Sequence, residues 1–404
     1  MTSLQRPPGP ALAQQVPRRA SRALLAFGIV LIAANLRPVI AATATVLDPI
    51  TRDLGLPGAA AGALTTLPVL FFGLAAPAAP LLVKRLGVER TLGLAIVGIA
   101  AASALLFGGS TLTLFTGTIL VGAAAAVGNV LLPVLVRRDF PDRAGLVSGL
   151  YTTALASAAA LAAAVTVPVG DAIGRGWPGA LSAWAVPAIL ALAVWAPQLR
   201  NRRRDHAPTE AGTGVARLLR NRLAWQVTGL MGFQALGYHT TLAWLPSIFT
   251  DAGVDHTTAG LLLSVAGFVA IPVSLVLPAV ATRSPSQRRW VVLLTGLTAA
   301  GLLGLLVAPT SAPYLWVTLI GLGQGPIFPL TLTIIVLRSA TAADTVALST
   351  MAQSIGFIIA ATGPFTLGLL HGATGGWTAG IALLLALLAP QLLTGLAAAR
   401  PRHI

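Results

Sequence analysis

Cysteine is absent from this chain of 404 residues, and acid is scarce, with 11 Asp and Glu against 26 Lys and Arg. Without cysteine there is no disulfide framework, thiolate metal site or cysteine nucleophile. Charge of either sign is short: 9% of residues carry it, where a soluble domain of this size would carry about a quarter. The five histidines, His206, His239, His256, His371 and His403, are scattered and show no metal-ligand spacing. With no cluster of nucleophile, base or metal ligands, the chain does not read as an enzyme, and no cofactor is expected. No loop is long enough to add the soluble domain that a receptor or scaffold usually carries.

Apolar residues are what the chain has in quantity, at 56% with a mean hydropathy of +0.85. A hydrocarbon core needs about 20 apolar residues per helical crossing. Twelve segments meet that length, at 22–47, 58–82, 90–108, 111–136, 145–168, 180–197, 223–248, 257–281, 289–308, 312–337, 345–370 and 376–398. We number them spans 1 to 12. The start carries Arg6, Arg18, Arg19 and Arg22 before an apolar run too long for an ordinary signal-peptide core.

The net charge of +15 raises nucleic acid as a partner, but its distribution excludes that reading. With the N-terminus inside, 23 of the 26 Lys and Arg fall on one side, and the opposite loops carry only Arg52 and Arg175. This is the asymmetry of the positive-inside rule, and it places both termini in the cytoplasm of a cell whose cytoplasmic membrane the chain crosses. The run Arg200-Asn201-Arg202-Arg203-Arg204 is then a topology anchor near anionic lipid.

The chain divides near its middle. A six-span bundle at 22–197 follows a tail at 1–21, a polar linker occupies 198–222, and a second bundle at 223–398 ends in a tail at 399–404. Shifting the first half by 198 positions lays Ile50 on Ile248, Asp53 on Asp251, Gly55 on Gly253, Pro80 on Pro278 and Arg85 on Arg283. A shift of 201 lays Gly122 on Gly323, Arg137 on Arg338 and Ser148 on Ser349. Six spans per repeat give both halves the same orientation. Parallel repeats of this kind resemble the two halves of a major facilitator, with a site between them near the midplane. The expected fold is therefore an all-α membrane protein with 12 transmembrane helices in two pseudo-symmetric six-helix bundles.

By analogy with that fold, spans 1, 4, 7 and 10 line the central cavity, supported by spans 5 and 11. Span 1 supplies Arg37, the one cation that no helix end or loop accounts for. Such a charge costs roughly 2.5 kcal/mol or more to insert, and is kept mainly where it faces a polar cavity or a partner. Pro38 follows it and tends to kink the helix, while Asn35 points to a neighbouring helix. Span 4 carries Asn129, which can be helix–helix glue or a ligand contact.

Span 7 has the densest polar set. Gln234, Tyr238 and Thr241 share one face, with His239 beside them. Span 10 gives Gln324 and Phe328 one turn apart, between prolines and glycines that predict a bent or broken helix. Spans 5 and 11 add Tyr151 and Gln353. All 11 acidic residues fall in loops or at helix ends, so no carboxylate lies deep in the membrane to relay protons or attract a cationic drug. The cavity therefore favours a small anionic or polar substrate. Proton coupling, if present, needs His239, His371, Asp48 or the substrate itself.

The chain resembles the cyanate/nitroimidazole transporter (CynX/NimT) family of the major facilitator superfamily. The resemblance rests on Ala34-Asn35-Leu36-Arg37-Pro38 with Asp53-Leu54-Gly55, and on Gly128-Asn129-Val130-Leu131-Leu132-Pro133 followed by Arg138-Asp139-Phe140-Pro141. It continues in Trp244-Leu245-Pro246 and in Met351-Ala352-Gln353-Ser354-Ile355-Gly356, leading to Ala361-Thr362-Gly363-Pro364. It implies a monomeric carrier, surrounded by membrane lipid, that moves small polar or anionic compounds by alternating access. An exporter of amphiphilic drugs in exchange for protons is the alternative. Two departures lower that alternative: span 5 lacks a Gly-Pro signature, and Lys84 stands before Arg85 where the superfamily usually has an acid. The second departure predicts that the charge relay often found at that loop is missing.

Overall fold

The computed structural model describes residues 19–56, 58–200 and 211–404. The basic run at 200–204 and the acidic Asp205 and Glu210 lie largely or wholly outside the described residues. Every expected span has a helical counterpart. Among the described residues, ten helices are long and apolar enough to cross a membrane. Span 2 makes eleven, because its two pieces Thr66–Ala75 and Ala78–Leu86 meet at a bend of 52°. The twelfth is span 7, Arg222–Asp251, a 30-residue helix. It has the length to cross but carries too many polar groups to qualify on apolarity.

Local chemistry sets where several helices start. Asn221 accepts hydrogen bonds from the Leu223 and Ala224 amides, Asp255 from the Thr258 amide, and Thr341 forms a reciprocal box with Asp344. Within the spans, hydroxyls such as those of Thr43, Thr118, Thr240 and Thr331 donate to carbonyls four residues earlier. That satisfies them locally where no water reaches. Span 1 breaks as expected: one helix ends at Asn35 and the next begins at Pro38, leaving Leu36 and Arg37 outside regular helix. Span 10 is not broken, one of the two forms expected of it. It runs on over Pro313–Arg338 with Pro326 and Pro329 inside it.

The repeat is visible in paired contacts. Asp53 accepts a hydrogen bond from the Trp177 indole at 3.0 Å, and Asp251 accepts one from Trp377 at 2.8 Å. Each aspartate precedes a glycine turned into left-handed backbone, Gly55 at φ 58° and Gly253 at φ 92°, where a β-carbon would be strained. On the side that holds the C-terminal residues (the tail side) Arg138 pairs with Glu89 at 2.6 Å and with Asp139 at 2.8 Å. Arg338, at the end of span 10, bonds Gln287 and the carbonyls of Ala398 and Ala399. By its partners, Arg138 rather than the neighbouring Arg137 answers to Arg338. The charge relay expected to be missing is present too. Its acid is Glu89 in the first turn of span 3, two residues beyond the loop glycine, Gly87.

Packing between the halves differs at the two ends. On the tail side one apolar cluster includes Leu131, Leu135 and Val147 of the first half with Leu277, Ile334 and Leu348 of the second. On the opposite side the clusters are separate, one around Ile50, Leu64 and Leu114 and the other around Leu245, Phe249 and Leu262. Spans 5 and 8 approach so closely on the tail side that a methyl group on Gly145 would lie 2.6 Å from the Pro278 carbonyl. At Gly149 it would collide with the carbonyl of Leu275. Ser354 on span 11 donates to the Gly73 carbonyl on span 2 at 2.7 Å. The halves are fused on one side and apart on the other.

Candidate functional site

Arg37 sits at the helix break near the middle of span 1, and its backbone carbonyl accepts from the Ile40 and Ala41 amides. Its guanidinium reaches across the divide to the second half, with Cζ 5.1 Å from the centroid of Phe328 on span 10. A cation over an aromatic face gains roughly 0.5–2 kcal/mol, less than the cost of bringing the charge to membrane depth. No carboxylate pairs with Arg37 among the described residues, and its Nε is buried without a hydrogen-bond partner. The guanidinium is held but not neutralised.

Tyr238 and His239 lie within reach of that charge. Their rings meet edge to face at 5.3 Å, and His239 continues to Phe357 at 6.3 Å and Phe357 to Phe72 at 5.1 Å. Arg37, Tyr238, His239 and Phe328 are all half-buried, whereas Phe72 and Phe357 are fully enclosed behind them. The two phenylalanines are a part of the site that sequence reasoning missed. Phe357 lies one helical turn beyond Gln353, a spacing that could have shown it.

The other nominated residues separate into two groups. Gln324 donates to Thr241 at 3.1 Å, tying span 10 to span 7 just beside the centre. Gln234 instead turns along its own helix, donating to the Met231 carbonyl at 3.1 Å, and is buried. Asn35 likewise donates to Leu31 four residues earlier, where a neighbouring helix was expected. Asn129, Tyr151 and Gln353 are 4%, 1% and 1% exposed, enclosed in the fused tail-side core. Gln353 bridges the halves by donating to the Asn129 carbonyl at 3.0 Å and to Ser349 at 2.8 Å. Each of the three keeps one buried polar atom without a partner: Asn129 Nδ2, Tyr151 Oη and Gln353 Oε1. Of the acids that could reach a site, none described lies at mid-depth, and the side chain of Asp48 is not described.

Two related six-helix halves are the geometry of a known carrier fold, and residues 22–361 match the family model described as the Major Facilitator Superfamily. The chain belongs to the Major Facilitator Superfamily. It is 40% identical over 381 residues, 94% of each chain, to a protein named uncharacterized transporter YycB from Bacillus subtilis (strain 168). It is 37% identical to the 2-nitroimidazole transporter of Escherichia coli (strain K12), covering 95% of this chain and 97% of that one. It is 30% identical to the cyanate transport protein CynX of the same strain, covering 86% and 90%. Among solved structures, the proton:xylose symporter XylE superposes with a TM-score of 0.72 at 14% identity, over 93% of this chain and 95% of that one. At that identity the likeness concerns the fold alone. The protein is a multi-pass membrane transporter and not an enzyme.

Proposed function

We propose that this transporter moves a small anionic or electron-rich polar solute, cyanate-like or nitroimidazole-like, and that Arg37 is the group that attracts it. The unneutralised guanidinium carries the reading, since an orphaned buried donor on a cation gains roughly 1.5–3 kcal/mol from an anionic or strongly accepting partner. Phe328, Tyr238 and His239 supply flat faces and a hydroxyl that orient a planar solute against it. The names of the two transporters from Escherichia coli agree with that chemistry.

Transport is by alternating access. In this reading the separated side is the way in to Arg37, and the fused tail side is the closed gate. Three unpartnered polar atoms inside that gate, on Asn129, Tyr151 and Gln353, each cost about 1–3 kcal/mol while it stays shut. A gate that carries such a penalty opens readily, and water or solute then satisfies those groups on the way through. The arginine asymmetry orients the fused side to the cytoplasm, with both termini there. One chain supplies both walls of the site, so the monomer is the working unit. A coupled proton would use His239 on span 7, His371 on span 11, Asp48 or the solute itself.

Uptake of labelled cyanate and 2-nitroimidazole into proteoliposomes tests the reading. Arg37→Ala should lower uptake roughly tenfold to a hundredfold, the kinetic equivalent of one lost charge-assisted contact. Its melting temperature in detergent should match or exceed that of the parent. Uptake at the parent rate in the variant would remove Arg37 from the mechanism.

A further inference from the structure

Away from the central site, a cavity of about 140 Å³ opens on the tail side between the start of span 7 and the end of span 12. It is lined by Arg222, Gln226, Ala397, Arg400 and Arg402. Three arginines converge there with no acid in the lining. Most other tail-side arginines of the second half are engaged: Arg217 pairs with Asp344, Arg288 donates to the Leu396 carbonyl, Arg289 to Ser284, and Arg338 to Gln287. Arg222, Arg400 and Arg402 have no ion pair among the described residues. Like charges crowded round one hollow repel, and the arrangement is relieved when an anion enters.

The surroundings identify the source of that anion. Trp225, one turn from Arg222, is 46% exposed, and its indole donates to the Leu219 carbonyl at 2.8 Å. An exposed tryptophan at the end of a span marks the headgroup level of the bilayer. Leu393 lies one turn below Ala397 on the same face of span 12 and is 68% exposed. A basic cavity thus stands directly above an apolar wall that faces acyl chains. We propose that it binds the phosphate of an anionic phospholipid headgroup, with the acyl chains lying along Leu393 and the spans below. Basic hollows between helix ends on this side suit such headgroups.

The test measures the melting temperature of the full-length protein in detergent against added phosphatidylglycerol, phosphatidylcholine or inorganic phosphate. Native mass spectrometry counts the bound lipid in parallel. Phosphatidylglycerol should stabilise the parent and remain bound, whereas the other two should not. The triple variant Arg222→Gln, Arg400→Gln, Arg402→Gln should bind phosphatidylglycerol roughly a hundredfold more weakly, at about a factor of five per arginine. A control triple on the first half, Lys84→Gln, Arg85→Gln, Arg143→Gln, removes the same charge and should leave binding intact. Gln226→Trp fills the hollow without changing charge and should weaken binding as well. Equal loss in both triples would reduce the effect to overall charge and overturn the proposal. Full binding in Gln226→Trp would place the lipid elsewhere, and equal stabilisation by inorganic phosphate would make the ligand a soluble anion; either result overturns it.

Discussion

The two halves of the transporter carry the same pegs and different sites. On the side opposite the tails each half ties an aspartate to an indole, Asp53 to Trp177 and Asp251 to Trp377. On the tail side each half anchors an arginine from the end of span 4 or span 10 against the start of span 3 or span 9. The chemistry of the second peg has drifted: the first half uses an ion pair with Glu89, the second the neutral amide of Gln287. The aspartate–indole peg has an addition in the second half, where His371 stacks on Trp377 at 3.9 Å. At the centre the resemblance ends. The shift that lays Asp53 on Asp251 lays Arg37 on Ala235, and lays Ile40 and Ala41 on Tyr238 and His239. Groups repeated in both halves hold the bundles together, and groups that occur once stand at the centre between them. Symmetry belongs to the scaffold, and asymmetry to the candidate site.

The comparison can be broken first at its strongest peg. Arg138→Ala leaves Glu89 and Asp139 without their cation and should cost about 3 kcal/mol, read as a lower melting temperature with solute affinity unchanged. Arg338→Ala strands only neutral acceptors and should cost less, about 1–3 kcal/mol. If the two variants lose equal stability, ionic and neutral pegs are equivalent.

Gly149→Leu comes next. Its side chain meets the Leu275 carbonyl and should cost about 1–3 kcal/mol against the closed tail side alone. Because the chain has no cysteine, a single Asn129→Cys reports on that gate. It should resist maleimide in the parent background and react in the Gly149→Leu background. Resistance in both would show that spans 5 and 8 do not form the gate.

The aspartate–indole pegs should give the smallest effects. Trp177→Phe and Trp377→Phe each remove one indole hydrogen bond, worth about 1 kcal/mol. Trp177 is the more deeply buried, and its loss should lower the melting temperature further. The reverse order would mean that His371 and its stacking carry more of the second half than the shared peg does.

Much of this was legible in the chain. Span positions follow from apolar run length, and the helix break at Arg37 from Pro38, because a missing backbone donor is a local property. Span 7 was found by its length although its polar content hides it from an apolarity criterion. Other features were not local. The latch acid was sought before Arg85 and lies at Glu89, since what matters is its distance in space from Arg138. Gln234 shares a helical face with Tyr238, yet turns along its own helix to bond Met231. Periodicity tells which face a side chain leaves from and not which partner its flexible end selects. The prolines in span 10 signalled a bend or a break, and the helix runs on without a break through both.

By itself the sequence determined the number of crossings, the division into two related halves, the side that bears the arginines and the one cation at membrane depth. Each of these depends on the cost of moving a residue between water and hydrocarbon, a cost set residue by residue. Only the tertiary structure decided that Phe328 of the other half covers Arg37, that Asn129, Tyr151 and Gln353 are shut inside the fused side, and that Arg222, Arg400 and Arg402 line one hollow. Those outcomes depend on how two bundles lean against each other. That tilt is a sum over many weak contacts, and no single stretch of the chain carries it.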